Sequence, residues 1–211
     1  MTCDAQGMDV QPVRQDSALR VIREAGPDVD LVAAELAAAQ FLRALGVELD
    51  SESLRGTPGR KARAYAELFT PRPFNMTTFP NDEGYDELVL ARAIPVRSVC
   101  EHHLLPFTGT AHVGYLPGPR ILGLSKLARI VEHFARRPQV QERLTKQVAD
   151  WLYTGLRPRG VGVVIEAEHS CMTVRGVRAA GSTTVTSTLL GIVRDDPRSR
   201  QEFFALARTS G

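Results

Sequence analysis

Apolar positions fall into successive patterns along the chain. Leu31, Ala34, Ala38, Phe41, Leu42 and Leu45 lie on one helical stripe, which Gly46 stops. "TPGRKARAYAELF" predicts a second helix, with Thr57 as N-cap and Pro58 at its first position. "TPRPFNMTTFPNDEG" is too rich in Pro and turn formers for regular structure. "ELVLARAIPVRSV" and "FTGTAHVGYLP" then read as strands, Pro95 fitting only an edge or a bulge. "GLSKLARIVEHFARRP" and "QVQERLTKQVADWLYTGL" are amphipathic helices. "GVGVVIEAEH" and "TTVTSTLLGIV" are strands by their β-branched content, and "DPRSRQEFFALAR" is a closing helix.

The order strand, strand, helix, helix, strand, strand predicts an α+β layer. It would be a four-stranded antiparallel sheet with two helices on one face, preceded by N-terminal helices. Its exposed edges would be protected by edge-to-edge pairing with copies of the same chain. Residues 1–28 are expected to be a mobile N-terminal tail. Residues 29–80 form the helical segment and 81–211 the main domain.

Composition removes alternatives. A net charge of +2 gives no global field for nucleic acid or a membrane surface, so any anion site must be a local cluster. The first ten residues contain no apolar run, so no signal peptide or membrane span is expected there, which favours the cytoplasm. Three cysteines make a poor disulfide framework; clustered with histidine they read better as metal ligands or catalytic groups.

Two stretches concentrate that chemistry. "CEHH" at 100–103 spaces Cys100 and His103 three apart, so one helical turn puts them on one side. "HSC" at 169–171 supplies Cys171 as a third ligand. Three ligands would leave zinc an open fourth position for water, the catalytic arrangement. Four protein ligands would make a structural site, and buried core thiols are the plainest alternative. His102 and His169, beside the ligands, could take or give a proton.

"GLSKLARI" places Ser125, Lys126 and Arg129 at a helix start. Cations are disfavoured there unless an anion binds, the alternative being a basic solvated face. Arg175, Arg60 and Arg63 could extend an anion site. Gln141 and Glu142 open the next helix. A carboxylate there either offsets the helix dipole or accepts two hydrogen bonds from adjacent N–H groups, as on the edge of guanine.

Together "CEHHLLPF", "GYLPG", "GLSKLARIVE", "RPQVQERLTKQ", "RPRGVGVVIEAEHSCM" and "TVTSTLLG" resemble, in order, the signature blocks of the GTP cyclohydrolase I family of the zinc-dependent type. The likeness runs from about Thr57 to Phe204. It implies Zn2+ on Cys100, His103 and Cys171, with His102, His169 and Ser125 catalytic. It implies substrate binding at Glu142, which takes the guanine, and at Gln141 beside it. The triphosphate would meet Lys126, Arg129 and Arg175, joined by Arg60 and Arg63 of a neighbouring subunit.

The implied reaction converts GTP and water to 7,8-dihydroneopterin triphosphate and formate, the first step of tetrahydrofolate or related pterin biosynthesis. Zinc-activated water attacks purine C8 while His169 protonates N7, and a second hydration releases formate. His102 and Ser125 then assist ribose opening, rearrangement and pterin closure, and the triphosphate stays whole. The implied fold is the tunnelling fold, assembled as a decamer of two pentamers. Ala93, Thr110 and Arg63 depart from the family pattern, none at a metal or base position. A catalytically silent GTP-binding homologue and a related deazapurine nitrile reductase are the competing readings. The first would have lost a ligand or catalytic histidine, and the second needs a nucleophilic cysteine and a nicotinamide.

Overall fold

The computed structural model describes residues 21–22 and 28–208. The expected tail therefore lies, except for Val21, Ile22 and Asp28, outside the described residues. The chain runs β1 (Val21–Ile22), α1 (Leu31–Ala44), α2 (Thr57–Phe69), β2 (Phe74–Asn75), β3 (Thr78–Pro80), β4 (Val89–Cys100), β5 (Pro106–Leu116) and β6 (Arg120–Leu122). It continues through α3 (Ser125–Ala135), β7 (Pro138–Gln139), α4 (Gln141–Leu156), β8 (Gly160–His169), α5 (Ser170–Thr173), β9 (Thr184–Gly191), α6 (Ile192–Asp195) and α7 (Pro197–Ala207).

Local chemistry sets several boundaries. Asp30 caps α1 by accepting from Ala33 N at 2.9 Å. Thr57 is not a cap: Gly56 holds that position, and the Thr57 hydroxyl accepts from Arg60 instead. Ser125 likewise lies inside α3, after Leu124, and makes no capping bond. The Pro-rich stretch after α2, expected to be irregular, forms two short strands, β2 pairing with β1 and β3 with β6.

The architecture is mixed α+β. Its main sheet has the order β7-β4-β5-β8-β9. The four long strands are antiparallel neighbours, as the hairpin pattern predicted. The fifth, β7, has only two residues and runs parallel to β4, opposite Val99 and Cys100. It escaped prediction because two residues carry no periodicity. The register of β4 on β5 shifts between Ala91 and Ile94, a bulge that contains Ala93 at φ 53°. Pro95 pairs with Thr110 on one side only, so its missing N–H costs no ladder bond.

Alternation sorts the strands between two faces. Phe107, Ala111, Val113 and Tyr115 of β5 join Val161, Val163 and Ile165 of β8 under Leu127, Ile130 and Val131 of α3 and Leu144, Val148 and Leu152 of α4. The opposite face is not bare, which corrects the one-sided arrangement expected from sequence. There α6 and α7 bring Val193, Phe203 and Ala207 onto Leu116. The Phe203 ring sits where a Cβ on Gly162 would lie 2.7 Å from it, so the glycine makes the notch that receives the ring. No helix among the described residues is long and apolar enough to cross a membrane.

Candidate active site

The site gathers where β4 and β8 end, at one edge of the main core. Cys100 is the last residue of β4, and the chain then closes a tight loop. Leu104 N donates to Cys100 O at 2.8 Å and Cys100 N donates to Leu105 O at 2.9 Å. Closure puts Leu104 at φ 51°, a left-handed conformation costing a non-glycine residue about 1–2 kcal/mol. Neighbours hold it there. The Tyr65 hydroxyl of α2 donates to Leu104 O at 2.8 Å. Glu101 N donates to Gln139 O of β7 at 3.0 Å. Arg143 of α4 forks onto the Glu101 carboxylate at 2.5 and 3.0 Å, and this hydrogen bonding holds the carboxyl below its usual range. Three elements thus fasten the one turn from Cys100 to Leu104.

Donor atoms of Cys100, His103 and Cys171 lie within 4.8 Å of one another. Cys171 reaches them from α5, which starts directly after β8. His102 and His103 place Nδ1 at similar distances from Cys100 Sγ, 3.8 and 3.9 Å. Among the described residues only His103 completes a mutually close set with both sulfurs. Tetrahedral zinc with bonds of about 2.3 Å to sulfur and 2.0 Å to nitrogen separates its ligand atoms by about 3.5–3.8 Å. The cluster is within reach of that spacing, so this group could bind a metal ion. Burial and the neighbouring Cys100 sulfur push the Cys171 thiol up. A thiol that resists ionising beside another sulfur becomes compatible as a thiolate beside a dication.

His169, the last residue of β8, stacks on Phe107 with ring centroids 4.4 Å apart and an interplanar angle of 10°. Its Nε2 lies 2.7 Å from Oε1 of Gln141, the first residue of α4. Burial pushes this imidazole below its usual pKa, against a smaller upward pull from Glu142. The Gln141 side chain is buried. Its Nε2 donates to Ile165 O at 3.0 Å and Thr184 O at 2.9 Å, with Thr186 Oγ1 at 3.1 Å. Thr145 donates to Gln141 O at 2.8 Å and touches Thr186 Oγ1 at 2.6 Å.

The cationic candidates are arranged differently. Arg60, Arg63, Arg129 and Arg175 are exposed and Lys126 is half-buried. Arg60 donates to Ser53 O at 2.7 Å and to Thr57 Oγ1 at 2.8 Å. No hydrogen bond, ion pair or ring contact among the described residues joins Ser125, Lys126, Arg129, Arg60 or Arg63 to the cysteine–histidine cluster. Glu142 and Arg175 are close enough to act electrostatically on His169 and Cys171 respectively. Sequence reading passed over Tyr65, Phe107, Arg143, Thr145 and Thr186. Only Arg143 carried a local signal, an opposite charge for Glu101 inside an already suspect block.

A family model described as GTP cyclohydrolase I matches residues 34–208. A curated relative from Streptomyces avermitilis, "GTP cyclohydrolase 1", is 54% identical over 178 residues, 82% of this chain and 88% of the relative. Relatives of the same name from Aquifex aeolicus and Mycobacteroides abscessus are 51% and 52% identical. They cover 80% and 84% of this chain, and 91% and 89% of their own lengths.

Proposed function

The chain belongs to the GTP cyclohydrolase I family, and on that premise we propose that it converts GTP and water to 7,8-dihydroneopterin triphosphate and formate in the cytoplasm. The observation that carries this reading is the convergence of the Cys100, His103 and Cys171 donors within 4.8 Å, with Cys171 two residues along the chain from His169, which in turn feels the Glu142 carboxylate. Those three residues would hold zinc, which supplies Lewis acidity and brings the pKa of water down to about 7.

The remaining steps belong to side chains. Glu142, acceptor-only, takes the N1–H and exocyclic N–H of guanine. An adenine ring, with an acceptor at N1, would be rejected. His169 gives a proton to N7 as the imidazole ring of the purine opens. His102 and Ser125 serve the later ribose opening and rearrangement. Lys126, Arg129 and Arg175, with Arg60 and Arg63 from a neighbouring subunit, hold the triphosphate and fix the base by its far end. The exposed β9 edge supports assembly of sheets into the barrel of a tunnelling fold, as a decamer of two pentamers.

The test is incubation of zinc-loaded full-length protein with GTP, following formate and pterin fluorescence together. Stoichiometric release of both is expected. Binding of GTP with neither product would instead mark a silent homologue.

A further inference from the structure

Gln141 sits next to the guanine-binding candidate Glu142, yet its amide nitrogen and its carbonyl oxygen are both already engaged within the protein. A primary amide offers two N–H donors and one carbonyl acceptor. Gln141 is 2% exposed, and two of the atoms around its nitrogen are the backbone carbonyl oxygens Ile165 O and Thr184 O. Carbonyl oxygens only accept, so Nε2 must face them and Oε1 must face the other way. The hydroxyls agree. Thr145 gives its proton to Gln141 O and therefore accepts from Thr186. The Thr186 oxygen is left to accept from the amide.

Oε1 then faces His169 Nε2 at 2.7 Å, and an amide oxygen cannot donate. The proton in that bond belongs to the histidine. We infer that Gln141 is a positioning residue rather than a guanine ligand: its buried amide fixes the His169 ring as the Nε2–H tautomer and leaves Nδ1 as the nitrogen that meets the purine. Phe107, stacked on the ring face, removes the remaining freedom of tilt. Among the described residues His169 Nδ1 makes no hydrogen bond, as an atom reserved for a ligand should not. During turnover Nδ1 first takes the proton given up by the water that adds to the purine and then passes it to N7, while Nε2–H stays in place and the Gln141 oxygen stabilises the ring while it is charged.

The inference deepens the proposed reaction and rests on it for the purine, but the tautomer can be read without substrate. Zinc-loaded full-length protein carrying 15N-histidine is measured by long-range 1H–15N correlation, with the His169 signals identified by their absence in His169→Asn. Protonated Nε2 and unprotonated Nδ1 are expected; protonated Nδ1 in the wild type overturns the inference. Kinetically, Gln141→Met should lower kcat for formate release about 10–100-fold, the usual loss when a group orienting a site residue is removed. GTP KM should stay within about twofold. A large rise in KM at unchanged kcat would make Gln141 a direct guanine ligand, and no change in either would remove it from the mechanism. Wild-type protein that forms no formate yet shows the Nε2–H tautomer would sink the proposed reaction and leave the hydrogen-bond assignment standing.

Discussion

The cysteine–histidine cluster with its neighbours and the cationic residues proposed for the triphosphate are held in opposite ways. On the first, His169, Gln141, Thr145 and Thr186 exchange hydrogen bonds whose directions follow from backbone carbonyls, and the Cys100–Leu104 turn is tied to α2, β7 and α4. On the second, Lys126, Arg63, Arg129 and Arg175 make no side-chain hydrogen bond or ion pair among the described residues. The first side gives up its freedom on folding and meets a ligand already aimed. The second keeps long, solvated side chains that lose about 1.5–2 kcal/mol of rotamer entropy each only when something orders them. Chemistry needs fixed geometry, whereas a multiply charged ligand tolerates approach from several rotamers.

The sharpest way to break this contrast is Cys171→Ala. Zinc content should be lost and formate release should fall by more than about 100-fold, because outer-shell partners alone are worth 10–100-fold. GTP retention on the cationic side should persist in equilibrium dialysis. Full zinc content in that variant would dismantle the ligand set. Lys126→Ala and Arg129→Ala should do the reverse, raising GTP KM about tenfold or more at near-constant kcat, in line with charged hydrogen bonds of about 1.5–3 kcal/mol. Their effect should shrink as salt screens the exposed charges. A fall in kcat at constant KM would place these cations among the fixed groups.

Tyr65→Phe probes the fastening of the metal turn. Losing one hydrogen bond of about 1 kcal/mol should weaken zinc retention roughly fivefold against a competing chelator. Unchanged retention would mean that the turn holds its strained Leu104 unaided. A smaller effect is expected away from the site. His112, on the outer face of β5, is buried with Nδ1 unpartnered, and burial pushes its pKa down, with Arg92 adding to that and Glu166 opposing it. Its folded form takes up a proton less readily than the unfolded chain, so as pH falls below the ordinary histidine pKa the unfolded chain protonates first and stability drops. His112→Gln should flatten thermal stability between neutral and mildly acidic pH; an unaltered slope would assign the drop to other groups.

The parts legible in the sequence were those written in local pattern. The stripe of α1 follows from periodicity and the paired strands β4–β5 and β8–β9 from residue type, and "CEHH" with "HSC" announced the cluster that the folded chain brings together. Contacts between distant backbone and side chain were not legible. Leu104 O and Thr184 O carry no residue-type signal, and they lie 39 and 43 positions from Tyr65 and Gln141. The docking of α7 on the second face was missed for a related reason. Its cue is an absence, Gly162, whose meaning appears only when Phe203 fills the space. Gln141, read with Glu142 as a substrate-binding residue, needed the third dimension to show which atoms occupy its amide.

The strand order carries one more consequence. Two of the three oxygens that clasp the Gln141 amide, Thr184 O and Thr186 Oγ1, belong to β9, the strand that borders the sheet on the side opposite β7. Fraying there would let the amide rotate and the imidazole with it, long before the hydrophobic interior noticed. Whatever zips onto that border therefore also locks the direction in which a single proton can travel.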